Sequence, residues 1–218
     1  MGDIFSKSKL KLKIQERIHR HFGDNSPISN SKFPHTSKIS AVVLNNQVYK
    51  TLKKIADITN KQNCEVPFLL FGFIDFENQQ FVFNDIIVQY PTKSNSYEAV
   101  FSKYQNKKYA EYCINATKAE GKIAAHGHSH PRVGAWYLNY SLADVNAYID
   151  MAFSDVAKNV GICGCLLTGG NFNFVFCNGV DLYRCDNVFA EDSNGEFIQL
   201  PCFGPDVLAN TNENSMGR

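Results

Sequence analysis

The stretch IAAHGHSHPRVGAWYLNYSLADV, residues 123–145, opens as an apolar strand, carries histidines at 126, 128 and 130, and passes through Pro131 and a bulky loop to Ser-Leu-Ala-Asp at 141–144. On a strand, residues two apart share a face. His126, His128 and His130 therefore lie on one side, and the end of the strand can offer two imidazoles to one ion. In a helix beginning at Ser141, residues three apart share a face, which presents Ser141 and Asp144 together towards the strand end. The apolar start of the strand suits a buried middle position in a sheet.

Working outward, ISAVVLN reads as a short strand, and NQVYKTLKKIADITNKQ as a helix with Val48, Leu52, Ile55 and Ile58 on one face. FLLFGFID and FVFNDIIVQ are apolar strands joined by FENQQ as a hairpin. PTKSNSYEAVFSKYQN is a polar loop before a helix near residues 106–120. Beyond the histidines, Val145, Tyr148, Ile149 and Phe153 make a helical stripe, and three strands follow around GICGCLLTG, FNFVFCN and VDLYRC before the chain fades into a polar tail. The fold class is α/β or α+β, a mixed central sheet flanked by helices. Three parts are expected: a basic arm and linker over 1–38, a single domain over 39–190 and a tail over 191–218.

At 218 residues the chain is long enough for one well-buried domain. Its 22 basic and 21 acidic residues give a net charge of +1, so the overall balance asks for no nucleic acid. The arm is the exception, with eight Lys/Arg against three acids. It could form a basic amphipathic helix, and MGDIFS fits the Met-Gly-x-x-x-Ser pattern of myristoylation, which leaves membrane contact through the arm open. No run of eighteen apolar residues and no secretory h-region is present, and a cytoplasmic location is expected. The odd set of cysteines, Cys64, Cys113, Cys163, Cys165, Cys177, Cys185 and Cys202, reads as reduced, buried thiols.

Two imidazoles and one carboxylate, with a fourth position left for water, are the ligand set of a catalytic zinc. Nitrogen with a single oxygen suits zinc better than magnesium or calcium. A hydrolytic site also needs a base. Glu65, at the head of the apolar strand in CEVPFLLFG, can lean over the sheet end without being buried unpaired.

His128-Ser129-His130-Pro131 followed by Ser141-Leu142-Ala143-Asp144 resembles the signature of the JAMM metalloproteases, also called MPN+ or JAB. In that family an upstream acid often opens a Glu-x-x-Gly-x-Leu-x-Gly segment. Glu65-Val-Pro-Phe-Leu-Leu-Phe-Gly72 matches its length and ends but lacks the middle glycine. Ten residues, Pro131 to Tyr140, separate His130 from Ser141, a longer spacing than the family's, which reads as a loop expansion within WYLNY.

The resemblance, over roughly residues 39–187, implies an MPN/JAB-like, cytidine-deaminase-like three-layer arrangement. It also implies one zinc ion per chain held by His128, His130 and Asp144. Glu65 becomes the general base, Ser141 the donor to the oxyanion, and His126 the non-ligand position supporting the other two histidines. The implied activity is hydrolysis of an amide or isopeptide bond after the C-terminal glycine of a ubiquitin-like protein. Two alternatives stay open: a catalytically silent scaffold that binds a protein partner, and a hydrolase releasing cysteine or a short peptide from a sulfur-carrier protein. A zinc deaminase would need a His-x-Glu and a Pro-Cys-x-x-Cys pair, which this sequence lacks.

Overall fold

In a computed structural model, which describes residues 40–95, 98–116, 118, 121–131, 144, 162–168, 171–177, 182–185 and 187–202, the chain builds one large mixed sheet with two helices. Strand β1 (Ala41–Leu44) ends at Asn45, whose side chain accepts the Val48 N–H at 2.8 Å and so caps helix α1 (Asn46–Gln62). The helix stops at Asn63, which takes the left-handed conformation common after a last turn. Its buried face carries Val48, Leu52, Ile55 and Thr59. Ile58, expected on that face, is instead 42% exposed. Thr59 displaces it because its hydroxyl meets the hydroxyl of Ser129, buried beneath the helix.

Strands β2 (Pro67–Asp75) and β3 (Gln80–Val88) form the expected hairpin. The segment read as a polar loop holds a small hairpin of β4 (Lys93–Ser94) and β5 (Ala99–Val100). Helix α2 (Lys103–Ala116) begins and ends earlier than the sequence suggests and has no buried residue. The histidine strand is β6 (Lys122–Ser129), and β7 (Ile162–Thr168), β8 (Asn171–Cys177) and β9 (Leu182–Cys185) are the three later strands. Two more, β10 (Val188–Glu191) and β11 (Phe197–Gln199), arise where the sequence reads as a fading tail. Strand β10 belongs to the sheet because Val188 and Ala190 bury themselves in the core, and β11 joins through its antiparallel pairing with β10, with Leu200 buried just beyond it. The basic arm, Ser141 and most of the helix expected after it lie outside the described residues; Asp144 is helical.

The strand order is β11-β10-β1-β3-β2-β6-β7-β8-β9. Pairing is parallel for β1 with β10, β1 with β3 and β6 with β7, and antiparallel elsewhere. As expected, β6 occupies an interior position. The sheet curls strongly: Phe83 on β3 and Phe174 on β8, four places apart in the order, stack with ring centroids 5.9 Å apart. The segment after β11 draws the two ends together, with Leu200 N–H donating to Val188 O and Phe172 N–H donating to Pro201 O. Helix α1 lies across the inner face, and its apolar stripe joins Val42, Leu44, Phe68, Leu70, Phe81 and Leu167 in one core. Cys165 and Cys185 are buried thiols as expected, whereas Cys64, Cys113 and Cys202 are only partly buried. Among the described residues no helix is long and apolar enough to cross a membrane.

Gly127, between two of the histidines, sits against the fully buried Phe68 ring. A Cβ there would lie 2.1 Å from Phe68 Cε2. Gly127→Ala must therefore push either the ring or the strand, and overpacking of this kind costs about 1–3 kcal/mol. Urea unfolding of the two proteins without added metal should show the variant less stable by that amount; equal midpoints would mean that the contact is slack.

Candidate metal centre

The site is built by the antiparallel pairing of β2 with β6. Pro67 lies opposite His128 and Leu69 opposite His126, and the same register carried one step further sets Glu65 opposite His130. Directly opposed residues in an antiparallel pair share a face. Glu65, His128 and His130 therefore converge at one end of the sheet, although 63 positions separate Glu65 from the nearer of the two histidines. Main-chain bonds hold this end in place. His130 N–H donates to Leu167 O at 2.9 Å, Glu65 N–H donates to Asn95 O at 2.8 Å, and Ser94 Oγ donates to Glu65 O at 2.6 Å. The small β4–β5 hairpin thus grips the main chain of Glu65 on its outer side.

His128 Nε2 and His130 Nε2 are 3.0 Å apart, and Asp144 Oδ1 lies 3.6 Å from His128 Nε2. One ligand atom from each of the three residues falls within 4.8 Å of the others. Donor atoms at zinc-like bond lengths around a tetrahedral centre are about 3.3 Å apart. The His128–His130 and His128–Asp144 separations bracket that value, and the three side chains together could hold a divalent metal ion. Among the described residues this is the only such group. Glu65 Oε1 lies 3.6 Å from His130 Nε2, on the margin of the group rather than within it.

Burial sets the electrostatics. His128 and His130 are 6% and 3% exposed, and Glu65 is 8% exposed. Burial pushes the Glu65 carboxyl up to about 7; the charge of His128 opposes the rise, while Asp144 and Glu98 add to it. His126, next along the same face, is pulled down to about 4, first by burial and then by His128, with Asp144 opposing. It is thereby held as a neutral imidazole. Among the described residues, two buried oxygens without a hydrogen-bond partner flank the histidines: Gln89 Oε1 and Thr168 Oγ1. Gln89 N–H donates to Pro67 O, which places it across Pro67 from His128; Thr168 ends β7, the strand on the other side of β6. Buried polar atoms without partners are uncommon. Their position concentrates unmet polarity at the histidine end of the sheet.

Of the residues singled out in the sequence, the structure brings together His128, His130, Asp144 and Glu65, with His126 beside them; Ser141 lies outside the described residues. Sequence reasoning did not assign Ser129, Thr59, Ser94 or Asn95. The signal for Thr59 was a polar residue at helical spacing from Val48, Leu52 and Ile55, on a face otherwise apolar. No family model matches the chain, and no curated protein matches it in sequence. The solution structure of protein DSY2949 from Desulfitobacterium hafniense is similar at a TM-score of 0.36 and 14% identity, over 78% of this chain and 97% of that one.

The geometry separates ligands from their neighbour. His128→Ala should abolish stoichiometric metal in the purified protein, whereas His126→Ala should retain one divalent ion per chain. Elemental analysis of both variants checks this; stoichiometric metal retained in the His128 variant would remove that residue from the ligand set.

Proposed function

We propose that the chain is a zinc-dependent hydrolase of the JAMM type, with the MPN/JAB-like arrangement of sheet and helices that its motif resembles. The observation that carries the reading is a buried carboxylate, Glu65, facing His130 beside a group of two histidines and one aspartate that suits a metal ion. Structural metal sites close their coordination with four protein ligands, whereas a site of three leaves a position for water. His128, His130 and Asp144 would hold the zinc, which when bound supplies Lewis acidity to a water and to a carbonyl group.

Each remaining task falls to a residue of the chain. Glu65, with a carboxyl pushed up to about 7, is poised to take a proton from the attacking water and return it to the leaving nitrogen. Burial gives it this property, since the same carboxylate in water would be a much weaker base. Ser94 and Asn95 fix the main chain from which this carboxylate projects. Ser141, three residues before Asp144, would donate a hydrogen bond to the oxyanion of the tetrahedral intermediate. His126, kept neutral, would pack beside the ligands without competing for the ion. The substrate we assign is a ubiquitin-like protein joined through its C-terminal glycine, with the cytoplasm as the setting.

The central test separates chemistry from metal binding. Glu65→Gln fills the same space but cannot take a proton, so it should keep zinc and fold while losing about a hundredfold or more in rate. Activity is measured on ubiquitin-like fusions and isopeptide conjugates, with bound zinc determined on the same preparations. Near-normal turnover in the zinc-loaded variant removes Glu65 from the mechanism. Release of only free cysteine or a short peptide replaces the isopeptidase reading with the sulfur-carrier one, and no cleavage of any conjugate favours the scaffold.

A further inference from the structure

Ser129 lies between the two histidines that face the metal group, and by strand alternation it points to the opposite side of the sheet. There it is fully buried. Its main-chain N–H donates to Val66 O at 3.2 Å, the bond expected at the end of the β2–β6 ladder. In a regular hydrogen-bonded pair the partner would reciprocate from its own N–H to the main-chain carbonyl. Here the Val66 N–H donates instead to Ser129 Oγ at 3.0 Å. The same hydroxyl also shares a hydrogen bond with Thr59 Oγ1 of α1, which is 1% exposed. One oxygen thus joins the histidine strand, the head of β2 and the core helix.

The sequence neighbours give this junction its meaning. Val66 follows Glu65 directly, and Ser129 sits between His128 and His130. Any movement of the hydroxyl is passed to both halves of the site. On the outer side Glu65 is held by Ser94 and Asn95, so Ser129 closes the grip from within. A buried hydrogen-bonded junction resists displacement because each lost bond leaves a polar group stranded in a low dielectric. We infer that the Ser129 hydroxyl is a positioning group that fixes the histidine pair relative to Glu65, with Thr59 as its anchor in the core helix. The inference rests on the metal-site reading proposed above.

The experiment measures the zinc dissociation constant of the full-length chain by competition with a chromophoric chelator. It also records the visible absorption of the cobalt-substituted protein, which reports ligand geometry. Ser129→Ala should weaken zinc about tenfold to a hundredfold, the range found when groups supporting metal ligands are removed. Thr59→Val removes only the anchoring hydroxyl at equal volume, far along the chain from any ligand. It should weaken zinc in the same direction and shift the cobalt spectrum, while Thr59→Ser and Ser129→Thr hold zinc within about twofold of the parent. Since both hydroxyls serve one junction, the double variant Thr59→Val/Ser129→Ala should bind no more weakly than Ser129→Ala alone. Should Ser129→Ala fail to fold, Thr59→Val carries the test by itself. Variants that bind zinc as tightly as the parent, or effects that add as if independent, overturn the positioning role alone. A parent that binds no zinc overturns the metal reading and this inference with it.

Discussion

The antiparallel register between β2 and β6 is the constraint on which the site depends. Every pair from Phe73 opposite Lys122 to Pro67 opposite His128 keeps one alignment, and that alignment delivers Glu65 to His130. A slip of a single residue would turn the histidines to the core face and bring Ser129 to the face they occupy now. Three features hold the register. The Phe68 ring tolerates only a glycine opposite it and finds one at Gly127, the Ser129 junction ties the open end, and the irregularity between Phe71 and Gly72 falls in the pairing with β3, which leaves the β2–β6 alignment unbroken. At that bulge a side chain on Gly72 would meet Val82 O at 1.8 Å, so the position is closed to anything larger.

Gathering three imidazoles and two carboxylates at a buried sheet end works against stability, because charge taken out of water must find compensation. The response differs from residue to residue. His126 gives up its charge, Glu65 holds its proton to a higher pH, and Asp144 stays beside His128 at 3.6 Å. Shifts of this kind are common at functional sites and support the hydrolase proposed above. The unpartnered oxygens of Gln89 and Thr168 belong to the same pattern.

Periodicity made the interior legible. The alternation of KIAAHGH, the apolar runs of β2 and β3 and the stripe of α1 each place an element where the structure has it, and the two-residue spacing of His128 and His130 is enough to bring them to one face. What escaped the pattern has physical causes. Ile58 and Thr59 are one residue apart, and hydrophobicity prefers the wrong one because it takes no account of a hydroxyl waiting in the core. Strands β10 and β11 are short and separated by polar turn residues; only β10 buries apolar side chains, against β1 far back in the chain, while Phe197 and Ile198 of β11 stay exposed. The hairpin of β4 and β5 matters through one hydroxyl, Ser94 Oγ, and one main-chain carbonyl, Asn95 O, both aimed at the main chain of Glu65, a placement that composition does not report. Glu65 could be singled out as an acid heading an apolar strand, yet its partner His130, just past the end of β6, follows only from the register.

The curl of the sheet also governs how the molecule can assemble. Strand β1 is flanked by β3 on one side and by β10 on the other, so one edge of an early segment waits for a late one. The hairpin of β2 and β3 needs only a short loop closure, whereas pairing β1 with β10 must close most of the chain into a ring. Topologies dominated by such distant pairings fold slowly. On a ribosome, the histidine strand could dock on its hairpin well before Val188 emerges, leaving Val42 and Leu44 with an open edge throughout that interval. A chaperone that shields exposed β-strands would find its natural target at β1, at the opposite end of the sequence from the residues that finally cover it.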